Sequence, residues 1–272
     1  MSKVVLITGA SSGIGKTTAL LLQKQGYTVY AGTREPSRLK EYKNIHVLPL
    51  DITKPESVVS AINEIKKRHK SIDILINNAG YGLISTVEEV SEEEMLAQFN
   101  VNVFGLLRVS KAVIPIMREN SSGIIINISS FLGKIGLPLL TFYNSSKYAV
   151  EGITDSLRYE LQDFNIRVHS VMPGFFNTNF AKDNLVTNTD TFSKDSPYTA
   201  LVKNLAPSIV DQINAGNDAS EAAELILTII EDEHYPARVT VGDKARKFIP
   251  MRRELSDEDF ERRVREYYNL NG

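Results

Sequence analysis

Short β-branched runs alternate along this chain with longer stretches in which apolar residues recur every three or four positions. Residues 4–8, 28–31, 45–48, 72–76, 123–128 and 167–172 read as strands. The segments 13–25 and 56–67 carry helical spacing between them. Continuous apolar strands separated by helices need cover on both faces, which predicts a parallel sheet in an α/β, doubly wound fold. Such a sheet holds its ligand beyond the carboxyl ends of its strands. Functional residues are therefore expected just after each strand.

Two helical stretches are long. Residues 91–118 carry Leu96, Phe99, Val103, Leu106, Leu107, Val113, Ile114 and Met117, and residues 145–163 carry Val150, Ile153, Leu157 and Leu161. One face of each belongs to the core. The first is apolar over too wide an arc for a single buried stripe, so a subunit interface in a homodimer or homotetramer is expected as well. Residues 177–218, rich in Asn, Thr, Ser and Asp, follow the sixth strand and predict a substrate lid with short helices. The alternative is a structural insertion far from any ligand. The 244–272 extension ends in an amphipathic pattern of Phe260, Val264, Tyr267 and Tyr268, expected to close over the domain.

Composition narrows the classes. With 272 residues and 42% hydrophobic content, one domain buries a sizeable core without staples. The absence of cysteine excludes disulfide scaffolds, thiolate zinc sites and cysteine nucleophiles. With 31 basic and 33 acidic residues the net charge is -2, which gives no reason to expect a nucleic-acid partner. No apolar run approaches the roughly 20 residues of a spanning helix. The amino-terminal run is too short for a signal peptide, so a cytoplasmic location is expected. His46, His69, His169 and His234 lack metal-ligand spacing, and no metal is expected. The basic run Arg238, Lys244, Arg246, Lys247, Arg252 and Arg253 reads as a solvated face or as a dock for an anionic membrane.

Thr8-Gly9-Ala10-Ser11-Ser12-Gly13-Ile14-Gly15 follows the first strand and opens the first helix. Glycines let backbone amides approach a pyrophosphate, and the helix amino terminus favours its charge. A tight strand–helix turn explains the same loop without a ligand. The segment through Lys16 and Thr17 also fits a relaxed P-loop, with Ala10 in place of the first glycine. A nucleotide triphosphatase needs an acidic magnesium ligand at a strand end. Asp51 is the one fair candidate, since Asp73 begins its strand.

Further motifs favour another scheme. Asn77-Asn78-Ala79-Gly80 follows the fourth strand, and Tyr143-Asn144-Ser145-Ser146-Lys147 carries a Tyr-x-x-x-Lys signature. Ser130 precedes Tyr143, Asn102 lies on the long helix, and Pro173-Gly174 and Thr178 follow the sixth strand. In this order and spacing they resemble the short-chain dehydrogenase/reductase family, with its Rossmann-type fold. The resemblance covers residues 4 to about 178 and implies an oxidoreductase that moves a hydride between a nicotinamide cofactor and a carbonyl or alcohol. A non-catalytic nucleotide sensor on the same fold remains the alternative.

Tyr143 and Lys147 lie one helical turn apart on one face. A nearby ammonium and a nicotinamide cation both stabilise a phenolate, which would let Tyr143 exchange a proton near neutral pH. Ser130 would hydrogen-bond the substrate oxygen where charge develops. The resemblance implies that Lys147 also binds the nicotinamide ribose and that Asn102 holds a water behind it. Arg34, just after the second strand, points to NADP(H) over NAD(H), because arginine accommodates a 2′-phosphate where an acid would bond the ribose. Ser11 is placed to add a hydrogen bond there. A surface arginine without a ligand is the alternative. Asp51 and Ile52 resemble the family's adenine contact, although Asp51 also suits a helix start. Asn78, Ala79 and Gly80 would line the adenine-ribose side.

The stretch around Arg34 and the long C-terminal segment resemble the branch containing 17-beta-hydroxysteroid and retinol dehydrogenases. That implies a fairly apolar small-molecule substrate. Phe175, Phe176, Phe180, Leu137, Leu139 and Phe142 are candidates to line its pocket, or else ordinary core residues.

Overall fold

The inner strands of the central sheet are buried on both faces, and their side chains alternate between two cores. In β1 (Val4–Thr8), Val4 and Leu6 point into one apolar cluster and Val5 and Ile7 into the other. β4 (Ile74–Asn77) and β6 (Gly123–Ile128) divide in the same way, with Leu75 and Ile125 on the first side and Ile74, Ile76, Ile124 and Ile126 on the second. A computed structural model describes residues 2–270.

The chain runs β1, α1 (Gly13–Lys24), β2 (Thr28–Thr33), β3 (His46–Pro49), α2 (Pro55–Arg68) and β4. It continues through β5 (Gly82–Ile84), α3 (Glu92–Phe99), α4 (Leu106–Glu119), β6, α5 (Thr141–Leu161) and β7 (Ile166–Pro173). Next come β8 (Phe176–Asn177), α6 (Phe180–Asp183), β9 (Leu185–Thr187), α7 (Thr199–Asn214) and β10 (Asn217–Asp218). The last elements are α8 (Ala219–Glu231), β11 (Arg238–Val241), α9 (Asp243–Glu254) and α10 (Asp257–Tyr267).

The main sheet has seven strands in the order β11-β7-β6-β4-β1-β2-β3, and every pairing is parallel. From β1 the chain builds outward to β3, then returns to place β4 on the other side of β1. The strand order reverses between β1 and β4, and a crevice opens there beyond the strand ends. α2, α4 and α5 cover one face, and α1 and α8 cover the other. A third cluster gathers Phe131, Leu140, Phe175, Leu205, Ile209, Phe248, Phe260 and Val264. It ties α7 and the C-terminal helices to the loops at the carboxyl end. Phe260, Val264 and Tyr268 of the amphipathic tail are buried in it, while Tyr267 keeps a partly exposed ring.

The structure departs from the sequence reading in four places. The long helix is interrupted by a π-helical turn, Asn100–Gly105, between α3 and α4. The apolar period runs straight through that turn, so no sequence signal marks it. Glu92–Glu119 is also long and apolar enough, by length and composition, to cross a membrane, contrary to the expectation that no segment is. Here Val109, Val113, Ile116 and Met117 pack it onto the sheet. Arg238 belongs to a seventh sheet strand and not to a basic tail. Most of that basic run is paired internally: Arg246 with Glu221 and Asp243, and Arg252 with Asp257. Lys244 and Lys247 lie over the Tyr267 ring. Arg238, Arg246 and Arg252 of the run are thus in ion pairs, while Lys244, Lys247 and Arg253 have none among the described residues.

Candidate active site

One continuous cleft of about 720 Å³ runs across the carboxyl ends of the strands. The loop Gly9–Ile14 borders one side of it. Gly9 has φ of +64° and Gly13 has φ of +54°, left-handed conformations that side chains resist. A Cβ on Gly9 would stand 2.7 Å from the Ala79 Cα. The loop thus lies directly against the turn after β4. Asn78 fastens the two together. Its side-chain amide donates to the carbonyls of Thr8 and Gly9, both at 3.0 Å. The backbone N–H groups of Asn78 and Ala79 donate to Thr8 Oγ1. Thr8 is a site residue that the sequence reading passed over, although it opens the glycine motif.

The first turn of α1 has no side-chain cap and no acidic residue. Helices α2, α5, α7 and α9 share that lack of a side-chain cap, whereas Ser91, Asp218 and Ser256 cap α3, α8 and α10; in α1 the first-turn residues Gly13 and Ile14 line the cleft. Uncapped N–H groups at a helix amino terminus suit an anion. With the close glycine backbone, this end of the cleft fits the pyrophosphate of a dinucleotide. Lys16 does not fit the P-loop role. Its ammonium lies over the Tyr42 ring, 4.8 Å from the centroid, and it does not line the cleft.

Ser11, Gly13, Ile14, Arg34, Asp51, Ile52, Asn78, Ala79, Gly80, Ser130, Tyr143, Lys147, Pro173, Gly174 and Thr178 all line this cleft together with Gly9. Gly15 and Asn102 do not. Gly15 is buried under the loop, where a Cβ would collide with the Asn78 side chain. Arg34 is exposed at the rim and has no ion pair among the described residues. Its neighbour Arg38 is committed to Glu35 at 2.7 Å and to Asp183 of α6 at 3.0 Å. Asp51 accepts from the Thr53 N–H and hydroxyl through Oδ1, closing a turn before α2. These bonds, together with the charge of Arg34, hold its carboxyl below the usual range against the opposing effect of burial. Asp51 therefore shapes the helix start while still facing the cleft.

At the other end, α5 carries Tyr143 and Lys147. The Lys147 ammonium donates to the Ile128 carbonyl at 2.9 Å and lies 5.7 Å from the centre of the Tyr143 ring. Burial pushes the Tyr143 phenol up to about 12, which the neighbouring Ser130 hydroxyl partly opposes. The depression expected from an adjacent lysine is absent in the protein alone: burial is the largest influence, and Ser130 is the group that opposes it. Burial also pulls Lys147 down to about 8, while the charge of Glu151 acts in the opposite sense. Ser130 lies two residues beyond β6 and caps the short turn that follows by accepting from the Leu132 N–H at 3.1 Å.

Asn102 sits in the π-helical turn, behind the cleft wall. Its Oδ1 accepts from the Tyr81 N–H, and its Nδ2 donates to the Tyr81 carbonyl and to Ser146 Oγ. The side chain thus braces the β4 turn against α5. Deleting it leaves buried backbone groups unpaired, at about 1–3 kcal/mol. Asn102→Ala is expected to lower stability by about 2 kcal/mol, read from urea unfolding. An unchanged midpoint would show that the brace carries no weight.

Segment 177–218 forms β8, α6, β9, α7 and β10, and Thr178, Phe180, Leu185, Val186, Ile209 and Ile213 reach the cleft from it. β9 pairs with β5 across the opening. Phe175, Phe176 and Phe180 line the cleft. Leu137, Leu139 and Phe142 do not: Leu137 and Leu139 are buried in the third cluster, whose packing demand claims them.

Comparison with known proteins adds an independent line. The family model described as short chain dehydrogenase matches residues 3–188. A 3-ketodihydrosphingosine reductase of Bacteroides thetaiotaomicron is 38% identical over 240 residues, covering 88% of each chain. A short-chain dehydrogenase structure from Streptomyces avermitilis superposes with a TM-score of 0.83 at 30% identity, covering 99% of this chain and 97% of that one. Another from Burkholderia cenocepacia, in complex with NADP, gives 0.76 at 27% identity over 97% of each.

Proposed function

This chain belongs to the short-chain dehydrogenase family, and we propose that its cleft works on apolar carbonyls or alcohols with Tyr143 as proton donor and acceptor. It is an NADP(H)-dependent oxidoreductase that transfers a hydride between the cofactor and a carbonyl or alcohol. The observation that carries the finer reading is the meeting of Ser130, Tyr143 and Lys147 in the same cleft as an uncapped helix amino terminus.

Bound NADPH supplies the hydride. The chain supplies the rest. Tyr143 gives its hydroxyl proton to the substrate oxygen in reduction and takes one back in oxidation. Ser130 donates a hydrogen bond to the same oxygen, where negative charge grows. Lys147 lends positive charge to the Tyr143 phenolate and binds the nicotinamide ribose. The first turn of α1, with Gly9, Ser11, Gly13 and Ile14, would hold the pyrophosphate together with Thr178. Asp51 and Ile52 would receive the adenine beside Asn78, Ala79 and Gly80. Pro173 and Gly174 would line the nicotinamide end.

Arg34 selects NADP(H) by pairing with the 2′-phosphate. Its lack of a protein partner supports this, and so does the absence of an acid at the end of β2. A charge-assisted contact is worth about 1.5–3 kcal/mol. Arg34→Ala is therefore expected to raise KM for NADPH by about 10–100-fold and leave KM for NADH nearly unchanged. Equal effects on both cofactors would remove Arg34 from the selectivity.

The substrate is proposed to be apolar, in line with the resemblance to the 17-beta-hydroxysteroid and retinol dehydrogenase branch. Leu83, Leu132, Leu140, Phe175, Leu185 and Ile209 around the cleft support it. A relative named for reducing 3-ketodihydrosphingosine supports it too. Residues 177–218 serve as the substrate lid. A homodimer or homotetramer through the α3–α4 stretch and α5 is supported by exposed Leu96 on α3, Phe104 in the π-helical turn, Leu107 on α4, and Tyr148 and Tyr159 on α5.

The test is oxidation of NADPH and NADH with steroid, retinal, long-chain ketone and simple aldehyde substrates. Turnover with NADPH and the apolar carbonyls is expected. Tight NADPH binding without turnover on any of them would favour the sensor.

A further inference from the structure

Glu151 is the most deeply buried carboxylate near the cleft, with a side chain only 4% exposed, and nothing in the reaction scheme above uses it. It lies on α5 one turn beyond Lys147, as Lys147 lies one turn beyond Tyr143. The three side chains therefore share one face of the helix. A buried carboxylate is costly unless it is paired and hydrogen-bonded.

Glu151 is paired from three directions. The hydroxyl of Ser170, on β7, donates to Oε1. Arg238 Nε, on β11, donates to Oε2 at 2.7 Å. Lys134, in the turn after β6, brings its ammonium within 3.4 Å of the same oxygen. Arg238 also donates to the Glu151 carbonyl at 3.3 Å and pairs with Asp155 on the next turn of α5. Two carboxylates and two cations thus balance beneath Lys147. Gly133 lets the turn after β6 close over this group, since a Cβ there would meet Ser129 Oγ at 2.9 Å and Glu151 Cγ at 3.2 Å.

Among the described residues, no carboxylate forms an ion pair with Lys147. Its ammonium donates to the Ile128 carbonyl, and a Cβ on Gly80 would stand 3.7 Å from it. Tyr143 and Glu151 on its own helix are the titratable groups that flank it. From β6 it meets a backbone carbonyl, and from the β4 turn and the π-helical turn it meets the uncharged Gly80 and Asn102. Charge on Glu151 is therefore the nearest source of negative potential for a buried ammonium, and in this low-dielectric wall it acts across a helical turn.

We propose that Glu151 is the positioning residue that keeps Lys147 a cation, with Arg238 and Lys134 setting how strongly it does so. The inference rests on the role given to Lys147 in the proposed reaction. Removing the charge of Glu151 leaves Arg238 and Lys134 in excess beneath the ammonium, which then loses its proton more readily. Removing Lys134 acts in the opposite sense. Because Tyr143 needs the ammonium beside it, the alkaline fall of reductive kcat/KM follows Lys147.

The test uses Glu151→Gln, which keeps the volume and a hydrogen-bond acceptor for Ser170, beside Glu151→Asp and Lys134→Met. Lys147 is titrated in the free protein by nitrogen-15 lysine NMR, with its resonance assigned by Lys147→Arg. The wild-type ammonium is expected to titrate at about 8. Glu151→Gln is expected to lower that midpoint by about one pH unit, Glu151→Asp by less, and Lys134→Met is expected to raise it. The alkaline limb of kcat/KM with NADPH should move in the same directions, with kcat affected more than KM. Unmoved midpoints in both Lys134→Met and Glu151→Asp, with only lower unfolding temperatures, would make Glu151 a structural group and overturn the inference. Those two variants carry the test if Glu151→Gln does not fold. A wild-type protein that shows the NMR shifts but no NADPH turnover would overturn the proposed reaction and leave the Glu151–Lys147 coupling standing.

Discussion

Tyr143→Phe is expected to lower NADPH-dependent turnover by about 10³-fold while leaving NADPH affinity within a few-fold. Phenylalanine fills the same volume and keeps the contact with Phe180, whose ring centroid lies 6.2 Å away. Only the hydroxyl is lost, so α5 and the cleft wall stay in place. The proton for the substrate oxygen must then come from water or from Ser130, whose alcohol is a far weaker acid than an activated phenol. Steady-state NADPH oxidation and cofactor fluorescence on the same preparation separate chemistry from binding. Activity within tenfold of wild type would mean that another group donates the proton.

Gly9→Val is expected to have the second largest effect, and by a different route. The position has φ of +64°, which costs a side-chain residue about 1–2 kcal/mol. Its Cβ would stand 2.7 Å from the Ala79 backbone, and overpacking of that kind costs about 1–3 kcal/mol more. A total near 3 kcal/mol lowers the unfolding temperature by roughly 8 °C for a chain of this size. The loop can relax only by moving off Ala79 and breaking the Asn78 bond to the Gly9 carbonyl, so NADPH affinity should fall by about 100-fold or more. Gly26→Ala is the control. Gly26 has φ of +86° but nothing within 4 Å of a Cβ, so that change should cost about 1 kcal/mol and leave NADPH binding intact. If both variants bind NADPH normally, the close approach of the loop does not build the pyrophosphate site.

The alternation of strands and helices was plain in the sequence because each inner strand is buried on both faces and shows an unbroken β-branched run. β11 escaped notice for the opposite reason. Arg238-Val239-Thr240-Val241 is an edge strand, short and led by a charge, and its arginine reads as part of a basic run until Glu151 and Asp155 are seen beside it. The π-helical turn was invisible because Val101 and Val103 continue the apolar period through it. Tyr143, Lys147 and Ser130 were legible as a set because their order and spacing resemble the short-chain dehydrogenase/reductase pattern. The pairing of Glu151 was not, since it depends on β7 and β11, distant in sequence. A glutamate continuing the Tyr143–Lys147 face of a largely buried helix was the available signal.

The third apolar cluster has one more consequence. The matched family region stops at residue 188, and much of this cluster is built after it, from α7, α9 and α10. The walls that meet a substrate from that side, Ile209 and Ile213, therefore come from a stretch of chain that carries none of the nucleotide-holding loop. Tyr143 packs against this cluster, so substitutions there reach the tyrosine, while Gly9 and Arg34 lie outside it. In the proposed reading, part of the substrate wall can therefore be remodelled in the last third of the chain without rebuilding the glycine loop.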